Sequence, residues 1–165
     1  MKTLLLVRHA KSSWDDITMK DFDRPLNDRG KKDAPEMAER VKEHGVKVEH
    51  LVSSPAKRAK RTARYFAEAF GFGKDDIQLV DNLYEPTQQA FTEAVAALPD
   101  GKSVVALFAH NPGITEYVNS LSTVRVDDMP TCAVFAVSTD AKSWADFASS
   151  EKKFLFFDYP KNPLG

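Results

Sequence analysis

Two stretches of the chain are continuously apolar, and both are short. Residues 3–7 are Thr-Leu-Leu-Leu-Val, and residues 103–109 are Ser-Val-Val-Ala-Leu-Phe-Ala. Runs of this kind are typical of strands that lie in the middle of a sheet and are covered on both faces. Shorter runs predict further strands at residues 50–53, 77–80, 132–137 and 154–157, with a weaker signal at 144–147. The pattern therefore predicts a sheet of five to seven strands.

Apolar residues recur at helical spacing between these runs. Three segments each place four apolar side chains on one face, which is typical of amphipathic helices that pack on a sheet. The faces are Ala59, Ala63, Phe66 and Phe70; Phe91, Ala94, Val95 and Leu98; and Ile114, Tyr117, Val118 and Leu121. A further helix is predicted from Asn27 to His44, with Pro35 expected to kink it or delay its start. Strands and helices alternate as far as residue 121, so we expect an α/β fold, a three-layer α/β/α architecture with a mainly parallel central sheet.

The composition is that of one ordinary globular domain, which we expect to span residues 1–165 with an irregular tail from residue 159. Of the 165 residues, 42% are hydrophobic and 28% are charged, and 23 Lys and Arg oppose 24 Asp and Glu. This near balance creates no overall field that would draw the chain to nucleic acid or to an anionic membrane. No apolar run approaches the roughly 20 residues of a membrane helix, and the N-terminal run is too short for a signal peptide. We therefore expect a cytoplasmic protein.

The single cysteine, Cys132, excludes an internal disulfide and a zinc cluster built on cysteines. It begins a predicted strand and has no paired base, so we expect a small core residue rather than a nucleophile. His44 and His50 lie in polar, loop-like sequence and are expected to be solvated.

Charged and imidazole side chains follow three of the predicted strands. Arg8 and His9 follow the first strand, with Lys11 close behind, Arg58 comes shortly after the second, and His110 ends the run at 103–109. Because the carboxyl ends of parallel strands meet at one edge of a sheet, these groups are expected to converge there. Such a set of cations is suited to a multiply charged anion, and a phosphoryl group is the obvious biological candidate.

Two of these strand-to-helix junctions have a further feature in common. Ser54-Pro55 and Asn111-Pro112 each place a good N-cap residue before a proline, which we interpret as the first helical position. Both helices would then direct free backbone N–H groups toward the same anion.

A nearby positive charge lowers the pKa of an imidazole and keeps it neutral and nucleophilic. His9 or His110 alone has an ordinary explanation, since an exposed loop or a hydrogen bond to backbone accounts for a histidine after a strand. The coincidence of polar clusters at three strand ends favours a catalytic pair instead.

The residues at these positions resemble the motifs of a known family. Leu6-Val7-Arg8-His9 is similar to the opening motif of the histidine phosphatase superfamily, which has the phosphoglycerate-mutase-like fold. The small SixA-type phosphohistidine phosphatase branch of this superfamily has motifs that are similar to residues 21–30 (DFDRPLNDRG), 53–63 (SSPAKRAKRTA) and 109–113 (AHNPG). The resemblance covers residues 3 to about 121.

The resemblance implies the following roles. His9 attacks phosphorus in line and becomes a phosphohistidine, which water then hydrolyses, while Arg8, Arg58 and a protonated His110 hold the phosphoryl oxygens. Asn111 is a further candidate for phosphate binding. No metal or cofactor is implied.

Two residues keep alternative interpretations. Arg24 is either a further phosphate contact or part of the loop scaffold, paired with Asp21 or Asp23. Glu85 lies where larger relatives place a general acid, but a solvated loop carboxylate is equally consistent with the sequence.

The substrate is expected to be phosphohistidine in a signalling or phosphotransfer protein. Ala10 and Asn111 stand where larger relatives have Gly, and few residues separate Val80 from Gly101, which leaves little room for a lid. The alternatives are a small-molecule phosphomonoesterase that uses Glu85, and a module that binds a phosphorylated ligand without chemistry.

A basic run, Lys57-Arg58-Lys60-Arg61-Arg64, has no acid between residues 57 and 64. No aromatic residues are interleaved with it, so a solvated face that attracts anionic substrates is favoured over nucleic-acid binding.

Overall fold

The protein forms one six-stranded sheet with helices packed on it. The computed structural model describes residues 1–162. The strands are β1 (Lys2–Arg8), β2 (His50–Ser53), β3 (Ile77–Leu79), β4 (Val104–Ala109), β5 (Val134–Thr139) and β6 (Lys153–Asp158). The helices are α1 (Asp28–Glu43), α2 (Lys57–Ala69), α3 (Gln88–Ala96) and α4 (Gly113–Leu121). Short 3₁₀ helices lie at Asp21–Asp23, Lys74–Asp76, Asp81–Leu83 and Trp144–Asp146.

The sheet is mainly parallel, as predicted. Its strand order is β3-β2-β4-β1-β5-β6. The first four strands in that order are mutually parallel, β5 is antiparallel to β1, and β6 is antiparallel to β5. Arg8 pairs with Ala109, and Ser53 pairs with Phe108, so β1, β2 and β4 end side by side. The chain therefore leaves β1, β2 and β4 at the same edge of the sheet, at His9, Ser54 and His110.

Alternate residues of β1 belong to two separate hydrophobic clusters, one on each face of the sheet. Leu4 and Leu6 belong to a cluster that includes Phe91 of α3 and Ile114 of α4. Leu5 and Val7 belong to a second cluster, which includes the α1 and α2 side chains Met37 and Phe66. Because alternate side chains of a strand point to opposite faces of the sheet, the apolar run at 3–7 has helices on both sides. The three-layer architecture is confirmed.

Helix α1 begins at Asp28, capped by Asn27, whose Oδ1 accepts a hydrogen bond from the Gly30 N–H at 2.9 Å. The helix continues past Pro35 to Glu43, so a late start at that proline is wrong.

Two other predicted boundaries change, and part of the predicted tail is not described. Residues 144–146 form a 3₁₀ helix rather than a strand, and the buried Trp144 donates its Nε1–H to the Lys102 carbonyl oxygen at 2.8 Å. Strand β5 begins at Val134 and not at Cys132, which has a left-handed φ of 62°. Of the predicted tail, residues 163–165 lie outside the described residues.

The two prolines are not first helical residues. Helix α2 begins at Lys57 after Ala56, and α4 begins at Gly113 after Pro112. Ser54 Oγ accepts the Ala56 N–H at 3.2 Å, and Asn111 Oδ1 accepts the Thr115 hydroxyl at 2.6 Å. The side chains bridge short turns, so the capping geometry expected from the sequence is wrong.

We expect Gly113→Ala to destabilise the protein by about 1–3 kcal/mol, the usual cost of overpacking. A Cβ at Gly113 would overlap the backbone carbonyl of Pro86 and lie 3.0 Å from its Cγ. At an unhindered helical position, alanine stabilises a protein relative to glycine. A loss of stability in Gly113→Ala would therefore report the steric clash. Gly101→Ala is the control, because nothing lies within 4 Å of its added Cβ. Urea unfolding curves measure both, and equal midpoints for the two variants would contradict the clash.

Candidate active site

Two histidines meet at the edge where β1 and β4 end. His9 and His110 are both buried, and their ring centroids are 5.1 Å apart with 49° between the ring planes. Arg8 and Arg58 are close enough for their charges to affect both imidazoles. The structure therefore brings together Arg8, His9, Arg58 and His110, as the sequence predicted. We call these four residues the cationic cage.

His9 is held as a specific neutral tautomer. Its Nδ1 lies 2.7 Å from the Ala10 carbonyl oxygen and donates to it, which leaves Nε2 with a free lone pair. The Ala10 N–H donates to Thr62 Oγ1 at 2.9 Å, and that hydroxyl donates to the Arg58 carbonyl oxygen at 2.8 Å. Thr62 thus fixes the end of β1 against the first turn of α2, and it fixes His9 relative to Arg58.

Burial lowers the pKa of His9 well below its usual range, and the charges of Arg58 and Arg8 lower it further. The hydrogen bond to the Ala10 carbonyl acts in the opposite direction but is the smaller effect. The imidazole is therefore uncharged at neutral pH, and its Nε2 is a competent nucleophile.

The His110 imidazole is also neutral at neutral pH when no anion occupies the cage. Burial and the charge of Arg58 lower its pKa to about 3, although Asp21 opposes the shift. Its Nε2 lies 2.7 Å from Ser54 Oγ. Since Ser54 Oγ already accepts the Ala56 N–H, its own proton is available to His110 Nε2. In the tautomer that accepts this proton at Nε2, the Nδ1 of His110 carries the hydrogen.

Three buried donors in the cage have no acceptor in the protein. They are Arg8 Nε, Arg58 Nε and His110 Nδ1, and they are the only buried side-chain nitrogen or oxygen atoms without a partner in residues 1–162. Buried polar groups are almost always paired, so each exception calls for an explanation. Here all the exceptions are N–H groups at one place, in a strongly positive environment. The arrangement is suited to a tetrahedral anion.

The terminal nitrogens of both arginines are anchored to the protein. Arg8 Nη1 donates to the Met129 carbonyl oxygen at 2.8 Å. Arg58 Nη1 donates to the Asp21 carbonyl oxygen at 2.7 Å, and Nη2 donates to Asp21 Oδ2 at 3.1 Å. Fixed guanidinium groups lose little freedom when they bind an anion, which favours binding.

Comparison with known proteins identifies the family. Residues 4–87 match the profile of the histidine phosphatase superfamily (branch 1), which is just over half of the chain. The chain belongs to this superfamily. The resemblance of its sequence motifs is therefore confirmed.

Individual relatives of the chain are distant. An uncharacterised chloroplastic protein of Arabidopsis thaliana is 27% identical over 154 residues, which are 88% of this chain and 70% of that protein. A protein named "Probable phosphoglycerate mutase GpmB" from Escherichia fergusonii is 36% identical over 117 residues, which are 62% of this chain. The chain spans only 54% of that second relative's length.

The fold is that of solved SixA structures. A crystal structure from Agrobacterium tumefaciens, named for phosphohistidine phosphatase SixA, matches with a TM-score of 0.79 and 24% identity, covering 96% of this chain and 98% of that one. The protein histidine phosphatase SixA complexed with tungstate matches with a TM-score of 0.79 and 22% identity, covering 96% and 97%. The phosphoglycerate-mutase-like α/β fold of the SixA type is thereby confirmed.

Asp21 organises one wall of the cage. Besides both Arg58 contacts, it accepts from Arg24 Nε at 3.2 Å and from the Tyr84 hydroxyl at 2.7 Å. Burial opposes ionisation of Asp21, but the hydrogen bond from Tyr84 and the charge of Arg58 outweigh it and lower the pKa to about 2. The Tyr84 ring meets His110 edge-on at 5.7 Å between centroids. No sequence motif assigns a role to Tyr84, and its pairing with Asp21 is visible only in the fold.

Arg24 belongs to the scaffold of the loop. It is buried, donates to Ser12 Oγ at 2.8 Å and pairs with Asp21, and its guanidinium lies 3.5 Å from the ring centroid of Trp14. The interpretation as a loop scaffold is therefore supported. Its charge still contributes to the low pKa of His110, after burial and Arg58.

The structure does not place Glu85 among the buried groups of the cage. Glu85 is exposed, has a left-handed φ of 51°, and lines an open cavity of about 310 Å³ with Asp81 and Gln89. The neighbouring Tyr84 makes the contact with His110 instead. An exposed carboxylate lacks the apolar enclosure that such general acids have in proteins, so the geometry does not support the role expected for Glu85.

The side chain of Asn111 holds a neighbouring loop. Its Nδ2 donates to Asp128 Oδ1 at 2.8 Å and to the Met129 carbonyl oxygen at 3.1 Å, and its Oδ1 accepts from Thr115. Every polar atom of the amide thus has a partner in the protein, and the side chain positions the neighbouring loop. A phosphate contact of Asn111 stays a prediction. Met129 in turn anchors Arg8.

Other candidates lie outside the cage. Lys11 is exposed and lines a separate cavity with Arg29 and Thr131, so its expected place in the cage is wrong. His44 is not simply solvated, because it stacks on Phe156 at 3.9 Å between centroids and hydrogen-bonds Asp158 at 3.0 Å.

His50 and Cys132 have ordinary contacts within the fold. His50 contacts Gln78 at 3.0 Å, and Cys132 is buried in the core, where burial raises its pKa. Residues 1–162 contain no cluster of three side chains suited to a metal ion. No helix in the described part of the chain is long and apolar enough to cross a membrane.

We expect Asp21→Asn to lower kcat/KM for phosphoramidate about tenfold, which is ~1.4 kcal/mol of transition-state stabilisation. The amide loses the charge that orients Arg58, although it still accepts from Tyr84. Asp23→Asn is the matched control, because Asp23 lies in the same 3₁₀ turn, is exposed, and forms no ion pair within residues 1–162. Equal losses in both variants would show that Asp21 has no specific role.

Acid is expected to destabilise the fold through the two cage histidines. Both have a lowered pKa when folded and an ordinary value of 6.5 when unfolded. Below pH 6.5 the unfolded chain therefore binds more protons, and the free energy of unfolding falls as pH falls. The limiting slope is about 1.4 kcal/mol per pH unit for each histidine.

Urea unfolding between pH 6.5 and about 5.5, above the range where most carboxyl groups titrate, measures this effect. The His110→Asn variant is expected to lose stability less steeply than the wild type over that interval, and both slopes should flatten above pH 6.5. Parallel curves for the two proteins would mean that His110 is not held neutral by the fold.

Proposed function

We propose that this protein is a phosphatase that forms a covalent phosphohistidine on His9, with phosphohistidine in a signalling or phosphotransfer protein as its substrate. The observation that carries the proposal is the trio of unpaired buried donors around a neutral nucleophile. The tungstate complex of a structurally similar SixA protein supports it, because tungstate is a tetrahedral oxyanion. Family membership supports the broader assignment as a phosphatase.

The first step follows from the geometry of the cage. His9 Nε2 attacks phosphorus in line, and the new N–P bond forms as the bond to the leaving group breaks. Arg8 Nε, Arg58 Nε and His110 Nδ1 donate to the equatorial oxygens as their charge is redistributed in the transition state. A bound dianion also favours a proton on His110, because it opposes the burial and the cations that lower its pKa.

The second step returns the enzyme to its starting state. Water attacks the phosphohistidine, the N–P bond breaks, and inorganic phosphate leaves with the oxygen of water. The electron pair returns to His9 Nε2, while Nδ1 keeps its hydrogen bond to the Ala10 carbonyl oxygen throughout. Both steps use the same three donors, so no side chain has to change position between them.

The preference for phosphohistidine rests on the leaving group. An imidazole protonated in the substrate departs as a neutral molecule, whereas an alkoxide needs a proton from a general acid. Around the cage, Asp21 is ionised with a pKa of about 2, and burial and the Asp21 carboxylate raise the pKa of Tyr84 to about 12. Glu85 is exposed. None of these groups is a good proton donor at neutral pH inside the cage.

We expect phosphoramidate to be hydrolysed with a kcat/KM roughly 100-fold or more above that of an alkyl phosphate, because general acid catalysis contributes 10²–10⁴-fold where it operates. His9→Ala should lower turnover of phosphoramidate by roughly 10³-fold or more. Phosphate release under steady-state conditions is the measurement. Glu85→Gln is the control and should leave both substrates unaffected.

Three other outcomes would contradict the proposal, and two of them would identify a different function. Full activity of His9→Ala would exclude a nucleophilic role for His9. A preference for alkyl esters that Glu85→Gln abolishes would identify a small-molecule phosphomonoesterase. Tight vanadate binding without phosphate release from any donor would identify a module that binds phosphorylated ligands.

A further inference from the structure

A basic groove lies beside the cage. Its cavity measures about 530 Å³. Five cationic side chains line it, and none of them forms an ion pair within residues 1–162. These residues define the groove: Lys57, Lys60, Arg61, Arg64 and Lys74. Asp23 and Asp75 are the acidic residues that also line it, so the groove has an excess of positive charge in a chain whose net charge is -1.

The groove and the cage share a wall. Lys57 lines the groove, and Arg58, the next residue of α2, belongs to the cage. Asp21 binds Arg58, while Phe22 and Asp23 in the same 3₁₀ turn line the groove. Arg64 lies six residues beyond Arg58, which is about 9 Å along the helix at 1.5 Å per residue. A ligand whose phosphoryl group occupies the cage must therefore extend well beyond its leaving group to reach the far end of the groove.

The groove also exposes apolar surface. Phe22 is 37% exposed and Leu79 is 48% exposed, and both line the groove with Pro55. Trp14 and Ile17, in the segment that precedes Phe22, are 73% and 95% exposed. Arginine combined with exposed aromatic and aliphatic side chains is typical of protein interfaces. A small phosphorylated metabolite would leave most of this surface uncovered.

We propose that the basic groove binds an acidic surface of the phosphorylated protein substrate, next to the phosphohistidine that enters the cage. This inference rests on the proposed function, since the phosphoryl group is what places the partner over the groove. The unpaired cations attract the acidic partner, and the Phe22 and Leu79 side chains pack against its apolar residues. Long-range attraction of this kind raises the association rate and is screened by salt.

The test uses two synthetic peptides, each with one phosphohistidine made by treatment with phosphoramidate. In one peptide, glutamates occupy the positions from two to five residues on either side of the histidine, and in the other, glutamines replace them. At 3.3 Å per residue, these positions span the length of the groove. We expect the wild-type kcat/KM to be about tenfold higher for the acidic peptide at low salt. The advantage should shrink as salt is added.

The variant Arg61→Glu/Arg64→Glu should abolish this preference and leave phosphoramidate hydrolysis unchanged, because neither residue belongs to the cage. The matched control is Lys47→Glu/Lys142→Glu, which changes charge by the same amount. Both of its lysines are exposed and lie at the opposite edge of the sheet, before β2 and after β5. The control should retain the preference for the acidic peptide.

Binding provides a readout that does not need turnover. Fluorescence anisotropy of the labelled phosphopeptides with His9→Ala should show the same order of affinity, and Arg61→Glu/Arg64→Glu in that background should remove it. Equal affinity for the two peptides would overturn the inference. So would binding of a single-stranded oligonucleotide that depends on Arg61 and Arg64 without any preference between the peptides. Absence of phosphoramidate turnover in the wild type would contradict only the proposed function. The anisotropy result would still show whether the groove prefers the acidic peptide.

Discussion

The structure depends on one unfavourable arrangement, in which two guanidinium groups and two imidazoles are gathered in a buried space. Burial lowers the pKa of Arg8, and Arg58 lowers it further by repulsion, although Asp128 opposes both. Three N–H groups in this space lack an acceptor in the protein, and each such group costs roughly 1–3 kcal/mol. The rest of the fold must supply the stability that keeps these groups together. An anion bound among them would turn the same groups from a cost into a source of affinity.

The sheet register makes this arrangement possible. Arg8 pairs with Ala109 across β1 and β4, so His9 and His110 leave neighbouring strands at the same level. Their positions are set by the backbone ladder and by a core packed on both faces, and not by flexible loops. Asp21 and Thr62 complete the support, because Asp21 holds the guanidinium of Arg58 and Thr62 holds its backbone against Ala10. Catalytic groups on rigid elements lose little freedom when they bind the transition state.

Sequence alone predicted the fold and the four cage residues, because apolar runs and the residues that end them are local signals. The charge state of His110 and the surroundings of Glu85 and Asn111 could not be predicted, because each depends on neighbours that are distant in sequence. Burial and the charge of Arg58, 52 positions away, lower the pKa of His110, and Tyr84 rather than Glu85 packs against its ring. The bond between Tyr84 and Asp21 joins residues 63 apart. No periodicity or motif spacing marks such a pair.

The segment around Asp21 links the chemistry of the cage to the shape of its surroundings. Asp21 orients Arg58, and Phe22 packs edge-on against Tyr84 at 5.1 Å while it also lines the basic groove. A partner that covers Phe22 therefore contacts the same turn that holds the guanidinium of Arg58. Contact with a large substrate would restrict this exposed turn and stabilise the Arg58 geometry, whereas a small phosphate ester would leave it unrestrained. Under the proposed function, a protein of this shape would favour large substrates without a lid, since the groove proposed to bind them adjoins the turn that holds Arg58.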